Sequence, residues 1–127
     1  MKDFKKYCFL PASPEEVYLA LTNPLSIQLW SGDKAEMNTE PGSEFSLWDG
    51  AICGKNLAFE YGKKIEQQWY FGEQEEPSLV TIKLHEAKGG TSMEVRHIHI
   101  PDEDYENITE GWVHAYMAGL EDFFEPE

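Results

Sequence analysis

Positive charge is what this sequence has least of. Ten lysines and arginines stand against twenty-four aspartates and glutamates, a net charge of −14, and a surface of that sign repels phosphate backbones and anionic lipid headgroups. Nucleic acid and the membrane surface therefore drop out as partners. The acidity reads either as solubility or as steering of a basic protein partner. Cysteine is nearly as scarce. Cys8 and Cys53 lie far apart, each in a short apolar stretch, which fits small buried free thiols and argues against a disulfide framework or a metal site. No apolar run approaches the length of a membrane span, and the start, Met1-Lys2-Asp3-Phe4-Lys5-Lys6-Tyr7, has no apolar core or small-residue cleavage site; the expected compartment is the cytoplasm.

Catalytic signatures are also missing. Neither cysteine has a base and an orienting acid nearby, and the serines fall in turns or helix caps, so no nucleophile and no other catalytic residue is assigned. Gly89-Gly90 leads into a strand rather than a helix, which removes the phosphate-cradling loop. His97-Ile98-His99 puts two imidazoles on one strand face, but a tetrahedral metal site needs further ligands that the sequence does not supply. His97 is better read as a hydrogen-bonded core residue or a cavity wall; His85 and His114 read as surface residues. No metal and no cofactor are expected.

What is present is apolar and aromatic surface. Apolar residues make up 41% of the 127-residue chain and aromatic ones 13%, enough for one core and, as read here, one domain over 1–127. Phe4 to Leu10 reads as a strand stopped by Pro11. Ser13-Pro14-Glu15-Glu16 is a helix start, with Ser13 as cap, Pro14 in the first helical position and Glu16 completing a capping box; the helix should reach about Thr22. Asn23-Pro24 opens a second short helix through Trp30, with Leu25, Leu29 and Trp30 among its apolar residues.

From Lys34 to Pro101 short runs of period-two alternation are punctuated by Pro41-Gly42, Asp49-Gly50, Tyr61-Gly62, Glu76-Pro77 and Gly89-Gly90, the pattern of an antiparallel meander. Phe45 and Leu47 share a face, as do Ile65, Gln67 and Trp69; Val80, Ile82 and Leu84; and Met93, Val95, His97 and His99. After Pro101 a long amphipathic helix, Tyr105 to Phe124, follows acidic residues suited to a helix N-terminus. Stepping 100° per residue centres its apolar face on Ile108, Trp112, Tyr116, Gly119 and Phe123, with Gly111 and Ala115 on one flank.

Gly111, Ala115 and Gly119 recur at four-residue spacing on this aromatic helix. Such a stripe permits either close approach of helix to sheet or a retained cavity between them that takes a small ligand. The candidate ligand-binding residues on the sheet are Phe45, Leu47, Gln67, Trp69, Met93, Val95 and His97. On the helix they are Trp112, Ala115 and Tyr116. Gln67, His97 and Tyr116 are polar groups in an aromatic wall, able either to orient one molecule or to satisfy each other in a dry core.

The order strand, two helices, meander, long helix carries a set of residues with a familiar spacing. Gly50-Ala51-Ile52-Cys53-Gly54-Lys55-Asn56-Leu57, then Lys63-Lys64-Ile65-Glu66-Gln67-Gln68-Trp69, Val80-Thr81-Ile82, Gly90-Thr91, Met93, Val95, His97, Pro101 and Gly111-Trp112 with Tyr116 and Leu120 resemble the activator of heat shock protein 90 ATPase homologue family. Pro14, Val17, Ala20, Leu21, Thr22, Pro24, Ile27 and Trp30 fit the same pattern, so the resemblance runs over essentially the whole chain. It implies an α+β helix-grip fold similar to START domains and the major birch-pollen allergen, with a curved antiparallel sheet of six to seven strands around the C-terminal helix. Gly72-Glu73-Gln74-Glu75-Glu76 stands where many relatives have a further tryptophan, an expected difference at that edge.

The resemblance also implies function. Such START-like domains bind lipids, sterols or aromatic polyketides, which makes a non-catalytic binder of a small apolar or aromatic ligand the leading expectation, as a monomer or homodimer. A protein-interaction module associated with the chaperone is the alternative. The chaperone activators carry an additional N-terminal domain, for which a chain starting its first strand at Phe4 leaves no room; that expectation counts against chaperone activation. A cyclase- or hydratase-like enzyme using Gln67, His97 or Tyr116 as acid–base groups is the third reading.

Overall fold

The computed structural model describes residues 1–72 and 76–125; of the Gly72–Glu76 edge noted above, residues 73–75 lie outside the described residues. Strand β1 (Lys2–Leu10) begins two residues earlier than the sequence suggested and is followed by helices α1 (Pro14–Thr22) and α2 (Pro24–Ser31). Five further strands follow: β2 (Glu44–Leu47), β3 (Ile52–Glu60), β4 (Lys64–Trp69), β5 (Ser78–Ala87) and β6 (Gly90–Ile100). They form one six-stranded antiparallel sheet of order β1-β6-β5-β4-β3-β2, curved around the C-terminal helix in a helix-grip arrangement. Each hairpin pairs neighbours in sequence, and only β1 joins through a distant partner, β6.

Local chemistry accounts for the two short helices. The Ser13 hydroxyl accepts from the Glu16 N–H at 3.2 Å and donates to the Glu16 carboxylate, also at 3.2 Å, so the box closes through the hydroxyl. Asn23 serves both helices: its N–H caps Leu19 at the end of α1 while its Oδ1 accepts from Leu25 and Ser26 at the start of α2. A cap of this kind contributes about 1 kcal/mol. The Trp30 indole then donates to the Ala20 carbonyl at 2.8 Å, tying α2 to α1. Ile27 and Trp30 are the buried residues of α2, whereas Leu25 and Leu29 are fully on the surface.

The long helix is continuous but not uniform. It runs as α3 (Tyr105–Gly111), a π-helical turn over Trp112–Met117 and α4 (Ala118–Phe123), with helical backbone angles at each junction. A π turn carries more residues per revolution than an α turn, so everything after it is rotated relative to a 100° projection. That rotation corrects the expected face. Trp112, Tyr116, Met117 and Leu120 are buried and Phe124 packs on the core, while Phe123, placed on the apolar face by simple stepping, is exposed, and so is Ala115.

A second correction concerns β6. Lys2 pairs with Ile100 and Phe4 with His97, so three steps on β6 oppose two on β1. His99 takes up the extra residue with φ of 59°, as expected of a β-bulge. Its ring turns out of the face shared by Met93, Val95 and His97, and its Nδ1 donates to the Pro77 carbonyl 3.2 Å away. The two imidazoles therefore do not converge. Cys8 is buried, its thiol pushed up to about 11 first by desolvation and then by Glu121; Cys53 is only half-buried, and both are free.

Candidate functional site

All four tryptophans of the chain meet between the sheet and the C-terminal helix. Trp69 from β4 and Trp112 from the π turn stack with centroids 4.7 Å apart and planes 18° from parallel. Tyr116 lies 4.5 Å from Trp112 and 4.8 Å from Trp30. Trp48 closes the row against Trp30 and Tyr116 at 5.9 and 6.0 Å. Offset and tilted ring pairs at these distances contribute beyond the area that they bury. The stack fills the space that a more hollow grip would leave open.

Behind the indoles run two closed polar chains. The Trp112 indole donates to His97 Nδ1 at 3.0 Å, and because an indole N–H can only donate, Nδ1 must accept and the imidazole proton sits on Nε2. Nε2 in turn donates to the Ser78 hydroxyl. Burial pushes the His97 pKa down to about 3, so the ring is neutral at ordinary pH. In the second chain Trp69 donates to Gln67 Oε1 at 3.0 Å, Gln67 donates to Asn56 Oδ1 at 3.0 Å, and Asn56 donates to the Asn38 carbonyl and the Ser43 hydroxyl, both at 3.2 Å. No fully buried side-chain nitrogen or oxygen among the described residues lacks a partner.

Beside this closed region the helix leaves an open cleft of about 290 Å³. Its floor is Trp69, Trp112 and Tyr116. One rim is the β2–β3 turn, Trp48, Ala51 and Ile52; the other is the helix, Asn107, Ile108, Gly111 and Ala115. A Cβ built on Gly111 would meet nothing within 4 Å, whereas one on Gly119 would lie 2.6 Å from the Trp30 carbonyl oxygen. The small-residue stripe is thus divided: its first half borders empty space and its last member is pressed against α2. A smaller hollow of about 160 Å³ shares Ala51, Ile52, Trp69, Asn107 and Ile108 and continues toward Phe71 and Asp104.

Of the residues singled out from the sequence, Trp69, Trp112, Ala115 and Tyr116 line the cleft. Phe45, Leu47, Gln67, Met93, Val95 and His97 lie on the same side of the sheet but are sealed behind the indoles. Phe45, for example, packs against Trp69 at 6.4 Å and over Gly54, where a Cβ would come within 2.7 Å of its ring. Gln67 and His97 spend their hydrogen-bonding groups on each side of the Trp69–Trp112 stack. Tyr116 differs from both. The residue is 5% exposed and lines the cleft, none of the hydrogen bonds among the described residues uses its hydroxyl, and that oxygen therefore keeps some exposure. Burial raises its pKa, so the phenol keeps its proton.

Sequence reasoning missed Trp48. Strict alternation from Phe45 and Leu47 sends residue 48 to the wet face. Trp48, Asp49 and Gly50 instead have φ of 50°, 52° and 92°, a left-handed run uncommon for a bulky residue. It swings the indole under Trp30 and Tyr116, where its N–H donates to the Ser31 carbonyl at 3.2 Å. Asp49-Gly50 signalled the turn but not where the neighbouring ring would go.

Residues 11–125 match the family described as Activator of Hsp90 ATPase homolog 1-like protein. Among curated proteins the chain is 30% identical over 103 residues to an activator of 90 kDa heat shock protein ATPase homolog of Dictyostelium discoideum, which covers 79% of this chain and 27% of that protein. It is 24% identical over 113 residues to homolog 2 of Mus musculus, covering 87% and 34%. The chain therefore spans about a quarter to a third of these two relatives. Among solved structures, an HSP90 activator from Plasmodium falciparum superposes with a TM-score of 0.86 at 24% identity, covering 95% and 94% of the two chains. The Aha1 dimer from Colwellia psychrerythraea superposes at 0.83 with 18% identity over 98% and 97%. At these identities the superpositions show the shared fold.

Proposed function

Because the chain belongs to the Activator of Hsp90 ATPase homolog 1-like protein family, we propose that it is a non-catalytic START-like domain that binds a small hydrophobic or aromatic molecule in the cleft between sheet and C-terminal helix. The observation that carries this reading is the aromatic-floored cleft of about 290 Å³ opening at Gly111. Ligand sites are concave, mostly apolar and furnished with a few polar groups, and the half-buried Trp48 beside Ile52 and Ile108 offers dispersion and ring contacts to a flat molecule. The test is tryptophan fluorescence during titration with fatty acids, sterols and flavonoids, using Gly111→Leu as the blocked control. Saturable quenching that the control loses supports the reading; fluorescence indifferent to the whole panel overturns it.

A protein-interaction role is the second reading. It is supported by relatives named as activators of the 90 kDa heat shock protein ATPase and by the exposed pair Leu25 and Leu29, four residues apart on α2. It would be expressed as stimulation of a purified 90 kDa chaperone's ATPase that Leu25→Ser with Leu29→Ser abolishes.

A further inference from the structure

Three observations on the cleft concern what it would hold, and they deepen the binding reading on which they rest. The first is size. A space of about 290 Å³ stands at the small end of ligand pockets, which run from about 300 Å³ upward. It cannot lengthen inward, because the Trp69–Trp112 stack and the fully buried Met93, Val95 and His97 close the grip behind it. A long acyl chain or a four-ring skeleton has no channel to enter.

The second is charge. No lysine, arginine or histidine lines the cleft or the hollow that continues it, and the one ionisable carboxyl among the described lining residues is Asp104. No lysine or arginine follows Arg96 in the chain, while Asp102, Glu103, Asp104, Glu106 and Glu110 occupy the first turns of the helix segment that forms one rim. An anion entering here would be desolvated without a countercharge, which is costly. The third is Tyr116, which lines the cleft and whose hydroxyl makes no hydrogen bond among the described residues; since no fully buried side-chain oxygen among them lacks a partner, this one keeps some exposure although the residue as a whole is 5% exposed. Once a ligand covered it, the hydroxyl would need a partner. Its raised pKa keeps it a donor.

We infer that the cleft takes a flat, uncharged aromatic molecule of one or two rings carrying a hydrogen-bond acceptor, held against the half-buried Trp48, Ile52 and Ile108 over the edges of Trp69 and Trp112, with the acceptor on the Tyr116 hydroxyl. Gln67 and His97 play no direct part in recognition, since their donors and acceptors are already engaged.

The test uses three probes of matched shape: quinoline, naphthalene and 2-naphthoate, titrated into the full chain and followed by tryptophan fluorescence and by amide shifts of residues 107–116. Quinoline should bind about 2- to 10-fold more tightly than naphthalene, the range of one neutral hydrogen bond, and 2-naphthoate should bind most weakly. In Tyr116→Phe, which keeps the ring and removes an oxygen with no hydrogen-bond partner among the described residues, quinoline and naphthalene should become equal. Gly111→Leu should weaken both, and a thermal melt of each variant confirms that it folds. Equal binding of quinoline and naphthalene by the unaltered protein, a preference that survives Tyr116→Phe, or tighter binding of 2-naphthoate each overturns the inference while Gly111-dependent binding leaves the cleft reading standing. If none of the three probes binds but Gly111-dependent binding of a fatty acid or sterol is seen, the inference alone fails. If nothing at all binds, both fail.

Discussion

Gly111 and Gly119 sit on one helix, eight residues apart, and share a residue type and a stripe, yet their surroundings are opposite. At Gly119 the helix is pressed onto α2, with the Trp30 carbonyl oxygen 2.6 Å and its ring 3.2 Å from where a Cβ would be; at Gly111 there is nothing within 4 Å. The same contrast holds for polar groups. Around His97 and Gln67 every buried donor and acceptor is matched, while Tyr116, beside the open half, has its hydroxyl unengaged among the described residues. A small residue on an aromatic helix therefore has no fixed meaning. What faces it decides whether it permits contact or leaves space.

The closed half should be the acid-sensitive half. The imidazole of His97 is held neutral, with its pKa pushed down to about 3 by desolvation, and the groups packed on it, Ser78, Trp69, Phe71 and Trp112, carry no charge. Its unfolded pKa of about 6.5 lies above the folded value, so the unfolded chain binds the extra proton and stability falls as pH drops through that interval. This contribution is complete above the unfolded pKa and is lost progressively toward the folded one. Between pH 8 and pH 5 it should remove about 2 kcal/mol. Urea unfolding of the wild type and of His97→Gln at both pH values checks this; equal losses in the two proteins would show that another group governs the acid limb.

The contact half of the stripe comes next in size. Gly119→Ala puts a methyl against a backbone oxygen, an overpacking of about 1–3 kcal/mol that the better helix propensity of alanine offsets by about 1 kcal/mol. A net loss of about 1 kcal/mol should appear in chemical denaturation. A variant as stable as the wild type would show that α2 moves aside freely.

The smallest effect, and of opposite sign, belongs to Gly111→Ala. The backbone there is helical, with φ of −60°, and the added methyl meets nothing. Stability should rise by about 0.5–1 kcal/mol, seen as a higher urea midpoint with an unchanged slope. A destabilised Gly111→Ala would mean that the two halves of the stripe are packed alike, and that the cleft closes in solution.

Much of the fold was legible. Ser13-Pro14 and Asn23-Pro24 fixed both short helices because caps and N-terminal prolines act within a few residues, and the turn pairs bounded the hairpins for the same reason. Errors arose where the backbone departs from its regular period. The bulge at His99 separated two histidines that alternation had put together. The π turn at Trp112–Met117 replaced Phe123 with Met117 and Phe124 on the buried face. The left-handed run at Trp48 carried a ring from the wet side to the cleft rim.

The candidate site was legible in the same uneven way. Trp69, Trp112, Ala115 and Tyr116 could be named because large rings and small residues at helical or alternating spacing mark the inner faces of both layers. Which of those inward residues touch open space could not, since Phe45, Gln67 and His97 satisfy every rule for an inward position and are nevertheless covered by two stacked indoles.

By itself, then, the sequence determined the order of elements, the inward faces of β2, β4, β5 and β6 as far as His97, the acidic surface and the aromatic character of the grip, all set by local propensity, period and charge. Tertiary structure alone decided that the grip is filled on one side and open on the other. The reason is volume. Whether four tryptophans close a cavity or border one depends on how rings from β4, the β2–β3 turn, α2 and the π turn interleave, and no spacing along a single chain segment encodes that distance between segments.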